Sequence, residues 1–280
     1  MAQVGRKYTK WILFVILLVF AAFIIFPILI VLMNSVKGNL FISSTGAFKL
    51  PNEQSFVGVS NYVNGVERIS FFSAFGYSLW ITIASVFFIL LLTSMLAWYI
   101  TRVKGKVTSI IYYLLAFSII VPFQMVMFTM SKFANMLHID NPVGIIILYV
   151  GFGCGMSTFM FSGFIKSIPL ALEEAAMIDG ATPVKTFFSV VLPMLKSTAI
   201  TIAILETMWV WNDYLMPYLV IGTEYRTIPV AIQYLRGGYG SVDMGAMMAM
   251  LVLAMIPVIV FYLFCQKYII KGVLAGAVKG

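Results

Sequence analysis

Charge is the scarcest commodity in these 280 residues: Asp, Glu, Lys and Arg together make up 10%. A soluble globular chain carries about 25%. This chain has too little polar surface to face water on all sides, so soluble enzymes and DNA-binding proteins are excluded as classes. Histidine is nearly absent as well. His138 is the single one, which rules out a histidine-based metal cluster. Cys154 and Cys265 are the two cysteines, and both lie within apolar runs. They read as small buried hydrophobes and not as a disulfide framework or a zinc site. A phosphate-cradling loop of the form G-x-x-x-x-G-K-[ST] is missing too. The one Gly-Lys pair, Gly105-Lys106, is followed by Val107. No Ser–His–Asp or Cys–His set is plausible, so no catalytic residue and no cofactor are expected. Any ATP hydrolysis must come from another chain.

What the sequence has in excess is apolar residue, at 62% with a mean hydropathy of +1.02. A bilayer-crossing helix needs about 20 such residues in a row. Six runs qualify: 11–33, 75–100, 108–130, 142–165, 197–221 and 244–265. The first follows Arg6, Lys7 and Lys10, as a signal peptide would. It is longer than the ~7–15 residues of a secretory apolar core and lacks a small-residue cleavage site, so it reads as a retained helix. The net charge of +8 is spread over the segments between the runs and does not point to nucleic acid. With the N-terminus inside, inner segments carry twelve Lys and Arg and outer segments six. The positive-inside rule then places both termini in the cytoplasm. The expected organisation is a cytoplasmic N-terminus 1–10, a first span 11–33, an irregular outer loop 34–74, a core 75–265 and a cytoplasmic tail 266–280. The fold class is an all-α polytopic membrane protein with six spans.

The inner loop 166–196 is the most informative stretch. Pro169 suits a first helical turn, and Glu173 and Glu174 complement the positive end of a helix dipole. Gly180 suits the residue just past a helix end, where a positive φ is often required. Thr182-Pro183 reads as the cap and first residue of a second helix, which Pro193 closes. Leu172, Ala175, Ala176 and Asp179 share one face at i, i+3, i+4 and i+7. An interfacial helix lying on lipid would carry a basic polar face. The first helix here carries three acids and no base, so a docking helix for a partner protein is favoured.

Glu174-Ala175-Ala176, Gly180 and Val190-x-Leu192-Pro193 match the "EAA" signature of permease subunits of ATP-binding-cassette importers. Val190 stands where that family usually has isoleucine. Asn141-Pro142-x-Gly144, Trp211-Asn212-Asp213 and the ending from Gln266 to Gly280 extend the likeness over nearly the whole chain. The sequence thus resembles the smaller permease of carbohydrate importers, the one like the maltose transporter's second permease. The likeness is closest to permeases for raffinose-type and multiple-sugar oligosaccharides. The resemblance implies the type I importer permease fold, with Glu174, Ala175, Ala176, Asp179, Gly180 and Pro193 forming a coupling helix that docks on the ATPase. It also implies a second homologous permease, a homodimeric ATP-binding subunit and an extracytoplasmic sugar-binding protein as partners. Arg236, Gly237, Gly238 and Tyr239, in the last outer loop, would touch the binding protein.

Ionisable groups inside a membrane are costly and therefore candidate functional residues. Glu206 and Asp213 are seven apart in the fifth run, with Trp209 between them. At 1.5 Å per residue Glu206 lies roughly 13 Å in from the inner side. A buried structural network, a sugar-facing site and a proton relay all fit this pattern, and the last would make the chain a proton-coupled secondary transporter. Gln124, beside Pro122 in the third run, is a further path candidate or a group that repairs a proline kink. Gly151-x-Gly153-x-Gly155 reads either as close helix packing or as a flexible joint. The methionines from Met244 to Met255 soften the sixth run.

Overall fold

The apolar runs become helices, but two of the six do not run straight. The structure is a computed structural model that describes the backbone of residues 2–235 and 242–277 and the side chains of residues 10–43, 46–235 and 242–268. Among the described residues there is no β-strand, and Lys37 and Phe56 form an isolated bridge. The chain divides into two units. One comprises Met1–Phe72 with Ala231–Pro257, the other Ser73–Val230 with Val258–Gly280.

In the first unit, α1 (Ala2–Ser35) carries a span at Lys10–Ser35 with mean hydropathy 3.4. None of its apolar window is buried, as suits a helix whose solvent is lipid. The loop that follows is more ordered than the irregular cap expected from its glycines. It holds α2 (Asn39–Thr45) and α3 (Ser60–Arg68). Buried polar groups fasten it. Asn61 donates to the carbonyls of Ser35 and Lys37 at 2.9 and 2.8 Å, and Ser35 Oγ meets Tyr62 OH at 2.7 Å. The buried Lys37 ammonium donates to the Lys49 carbonyl at 2.9 Å, and desolvation lowers its pKa from the ordinary lysine value. The long last helix, α14 (Met244–Ala277), begins in this unit. Gly65 of α3 lets Met250 approach so closely that a Cβ there would lie 2.7 Å from Met250 Cε.

The second unit contains most of α4 (Phe71–Arg102) together with α5 (Lys106–Ser118), α6 (Phe123–Met136) and α7 (Gly144–Ile165). The run expected as one span at 108–130 is broken, with α5 and α6 meeting at 109°. Pro122 supplies the cause. Its ring disfavours helical backbone at Val121, and it has no N–H to donate. It therefore caps α6 in an extended conformation, at φ -65° and ψ 137°. The corner is a break, not a kink. The inner loop forms α8 (Leu170–Ile178) and α9 (Pro183–Thr186), a π-helical turn Phe187–Val191 and α10 (Leu192–Met194). Pro193 does not end the segment but lies inside α10. Lacking an N–H for the Ser189 carbonyl, it favours the wider turn just before it. The chain then bends by 76° at Leu195 into α11 (Lys196–Asn212). α11 stops at Asp213, short of the expected 221, and α12 (Leu215–Val220) and α13 (Ile228–Ile232) follow. Two apolar clusters hold this unit. Ile81, Ile145, Tyr149, Val210 and Met216 belong to one. Ala97, Phe161, Ile165, Phe187, Val191 and Leu195 belong to the other, beneath the inner loop.

Candidate functional site

The inner loop is a helix, a glycine turn and a helix. Pro169 precedes α8 as its N-cap residue at ψ 126°, and Asp179 follows it. The Ala181 N–H reaches the Ala176 carbonyl and the Gly180 N–H the Met177 carbonyl, both at 3.0 Å. This pair of bonds is the Schellman closure, which needs a left-handed residue. Gly180 supplies it at φ +82°. Thr182 Oγ1 then accepts the Lys185 N–H at 3.3 Å, with Pro183 at the start of α9. Glu174, Ala175, Asp179 and Gly180 are exposed, Ala176 is half-buried, and Pro193 lies three elements further on. Apolar Leu172, Met177, Ile178 and Val184 are exposed around the same turn.

What pins α8 to its unit is a residue whose role the sequence did not reveal. Glu173 is 1% exposed. Its Oε2 accepts the Trp98 indole N–H at 2.8 Å, and its Oε1 accepts Arg102 Nε at 2.9 Å and Nη2 at 2.6 Å. Arg102 Nη2 also donates to the carbonyl of Ile168 at 2.9 Å, so one guanidinium ties the end of α4 to both the turn after α7 and α8. Trp98 lies 5.6 Å from the Phe187 ring. The signal available in the sequence was only that Glu173 and Arg102, far apart in the chain, both fall in inner segments.

A second constellation lies midway along α7 and α11. Glu206 is 4% exposed and accepts the Ser157 hydroxyl on Oε1 at 2.7 Å. It lines a cavity of about 310 Å³ together with Trp209, Phe123, Phe152 and Gly153. A Cβ on Gly153 would lie 2.8 Å from Ile89 Cδ1 and 3.2 Å from Glu206 Oε2, so glycine makes room for the carboxylate. One on Gly155 would lie 2.8 Å from the Leu115 carbonyl of α5, whereas Gly151 faces open space. α7 runs unbroken through all three, with close packing at Gly153 and Gly155. Trp209 is 39% exposed and meets Tyr149 edge-on at 5.4 Å.

Asp213 does something different. It leaves the helix at ψ 126°, accepts the Tyr149 hydroxyl at 2.9 Å, and caps α12 by accepting the Leu215 N–H at 2.9 Å. Gln124 is exposed and does not line the cavity, whose wall there is Phe123. Arg236, Gly237, Gly238 and Tyr239 lie outside the described residues. Among the described residues no group of three or more His, Cys, Asp or Glu could hold a metal ion.

Residues 89–274 match the family described as binding-protein-dependent transport system inner membrane component. The chain belongs to that family. It is 36% identical over 254 residues to a probable starch degradation products transport system permease protein of Thermoanaerobacterium thermosulfurigenes, covering 90% of this chain and 91% of the relative. It is 33% identical to the multiple sugar-binding transport system permease protein of Streptococcus mutans, covering 95% and 96%. In structure it is similar to a bacterial ABC transporter involved in import of the acidic polysaccharide alginate, at a TM-score of 0.76 and 22% identity, covering 94% of this chain and 97% of that one. That likeness shows the fold, the importer permease fold that the sequence led us to expect. As an inner membrane component of a transport system, the chain is a membrane subunit and not an enzyme.

Proposed function

We propose that the chain is one of two homologous permease subunits of an importer that carries a carbohydrate, an oligosaccharide, across the cytoplasmic membrane. Both termini are cytoplasmic, an extracytoplasmic binding protein delivers the sugar, and a homodimeric ATPase drives alternating access. The permeases named for starch degradation products and for multiple sugars support the substrate class. The observation that carries the reading is the exposed α8–Gly180–α9 turn, locked at its base by Glu173 in a member of this family. An ATPase gripping Glu174, Ala175, Ala176 and Asp179 would move α8, and the Arg102–Glu173 joint would pass that movement to the ends of α4 and α7. The middle of α7 forms the wall of the Glu206 cavity, so the loop and the cavity share one rigid helix.

In this reading Trp209 offers an aromatic face for sugar C–H surfaces and Glu206 a carboxylate for hydroxyls. A proton relay is less well supported. Glu206 and Asp213 are held by different partners, Ser157 and Tyr149, and Asp213 is occupied as a helix cap. The test is reconstitution with the companion permease, ATPase and binding protein. ATP hydrolysis should rise when sugar-loaded binding protein is added. Gly180→Val must strain a left-handed turn by about 1–2 kcal/mol and should lower uptake per ATP hydrolysed at least severalfold, with the protein still in the membrane. Uptake by this chain alone, driven by a pH gradient, would sink the proposal.

A further inference from the structure

A second cavity, of about 430 Å³, lies where α4 and α7 end and α5 begins. Its lining includes Lys104, Gly105, Tyr112, Ser162 and Lys166, and no carboxylate. Arg102 nearby is committed to Glu173, but among the described residues Lys104 and Lys166 form no salt bridge. Lys166 Nζ sits 5.4 Å from the centre of the Tyr112 ring. Ser162 is 1% exposed, and among the described residues its hydroxyl has no hydrogen-bond partner. The Thr101 hydroxyl in the same wall is likewise buried and unpartnered. A buried polar group without a partner is uncommon and calls for an explanation.

The backbone adds to this. α5 is 13 residues long and starts at the cavity with Gly105 as N-cap residue, which offers no side-chain cap. The hydroxyls of Thr108 and Ser109 turn back to the Gly105 carbonyl at 3.0 and 2.9 Å. The first-turn N–H groups are therefore left uncapped by side chains, and the positive end of the helix dipole points at the same space as the two ammonium groups.

We propose that this cavity binds a phosphate group, carried by an anionic phospholipid headgroup or present as soluble phosphate. Lys104 and Lys166 supply the charge, Ser162 and Thr101 the neutral donors, and the first turn of α5 the backbone field. Tyr113 is part of the cavity lining, and Ile110 and Leu114 are exposed along α5 beyond it, where acyl chains of a bound lipid would lie. Tyrosine at a membrane surface commonly marks the headgroup level. Lys166 also starts the loop that carries α8, so an occupant would brace the base of that loop against the α4–α5 corner. The site does not need the carbohydrate reading, because it draws on none of the Glu206 cavity.

The purified full-length chain in detergent can be titrated with dioleoyl phosphatidylglycerol, dioleoyl phosphatidylcholine or inorganic phosphate, with binding followed by native mass spectrometry. The double variant Lys104→Gln/Lys166→Gln should weaken phosphatidylglycerol binding about tenfold. Ser162→Ala should weaken it severalfold, and Lys104→Arg/Lys166→Arg should retain it. Lys49→Gln/Lys132→Gln is the control pair and should bind as the parent does. Preference for phosphatidylglycerol over phosphatidylcholine identifies the lipid as the source. Saturable binding of inorganic phosphate that the glutamine pair abolishes, without lipid preference, identifies the soluble ion. Equal affinities in the parent and the glutamine pair, or an equal loss in the control pair, overturn the assignment.

Discussion

Glu173 and Glu206 are both almost fully buried, yet their surroundings differ. Glu173 has both oxygens in use, one held by an indole and the other by a guanidinium fork. Glu206 has one oxygen on Ser157, while among the described residues its Oε2 has no hydrogen-bond partner, and the residue lines the cavity. Burial of a charged or polar group is costly unless its bonding capacity is filled. The filled carboxylate is a joint. The unfilled one retains capacity for a ligand, and its cost is offset only when something enters the cavity. The cavity volume falls at the lower end of the roughly 300–1,000 Å³ of small-molecule sites.

Glu173→Ala should have the largest effect. It leaves the Arg102 guanidinium and the Trp98 N–H without their acceptor, and breaking a buried pair from one side costs about 3–5 kcal/mol. Thermal unfolding of the purified chain should show a clear loss of stability, with less protein recovered from the membrane. Arg102→Met combined with Glu173→Leu removes both charges and should recover most of that loss. Unaltered stability in Glu173→Ala would mean that the joint is not one.

The cavity should respond in binding more than in stability. Trp209→Ala removes a half-exposed ring and should raise the half-saturating sugar concentration about tenfold, or ~1.4 kcal/mol, with assembly intact. Glu206→Gln keeps size and hydrogen bonding, so uptake measured in vesicles should stay within severalfold of the parent. Loss of all uptake in Glu206→Gln would instead favour proton transfer and remove the contrast with Glu173.

The six apolar runs and the helix–Gly–helix loop were legible because each depends on local chemistry. Run length, a glycine at a left-handed position and a Thr-Pro helix start are all contained within a few residues. The breaks were less visible. Pro122 marked its corner, but the size of the turn, 109°, depends on what α5 and α6 pack against. Asp213 read as half of an intramembrane pair because the pattern assumed that α11 continued, whereas its carboxylate is spent on capping α12. Glu173 was read as a dipole partner on its own helix. Its main partners, Trp98 and Arg102, lie on α4, far back along the chain, and no periodicity connects them. Gln124 follows Pro122, yet helical geometry turned Phe123 and not Gln124 to the cavity.

The smallest effect belongs to a second arginine–carboxylate pair, and it isolates burial as the cause of the contrast. Arg68 and Asp243, in the first unit, meet at 2.7 Å, about as close as Arg102 and Glu173 at 2.6 Å. Distance alone would give the two pairs similar worth. The Arg68 side chain, however, is 52% exposed. Water and salt screen such a pair, and exposed pairs contribute about 0.2–1 kcal/mol. Arg68→Ala should therefore shift thermal stability barely above error, and less still at high ionic strength. Asp243 has a second task, since its Oδ1 accepts the Ala246 N–H at 3.1 Å and so caps α14. Asp243→Ala should cost about 0.5–2 kcal/mol through the lost cap, and Asp243→Asn, which keeps a capping oxygen, should lose much less. If Arg68→Ala destabilises as strongly as Glu173→Ala, charge pairing and not burial governs both sites, and the reading of Glu173 as a buried joint fails with it.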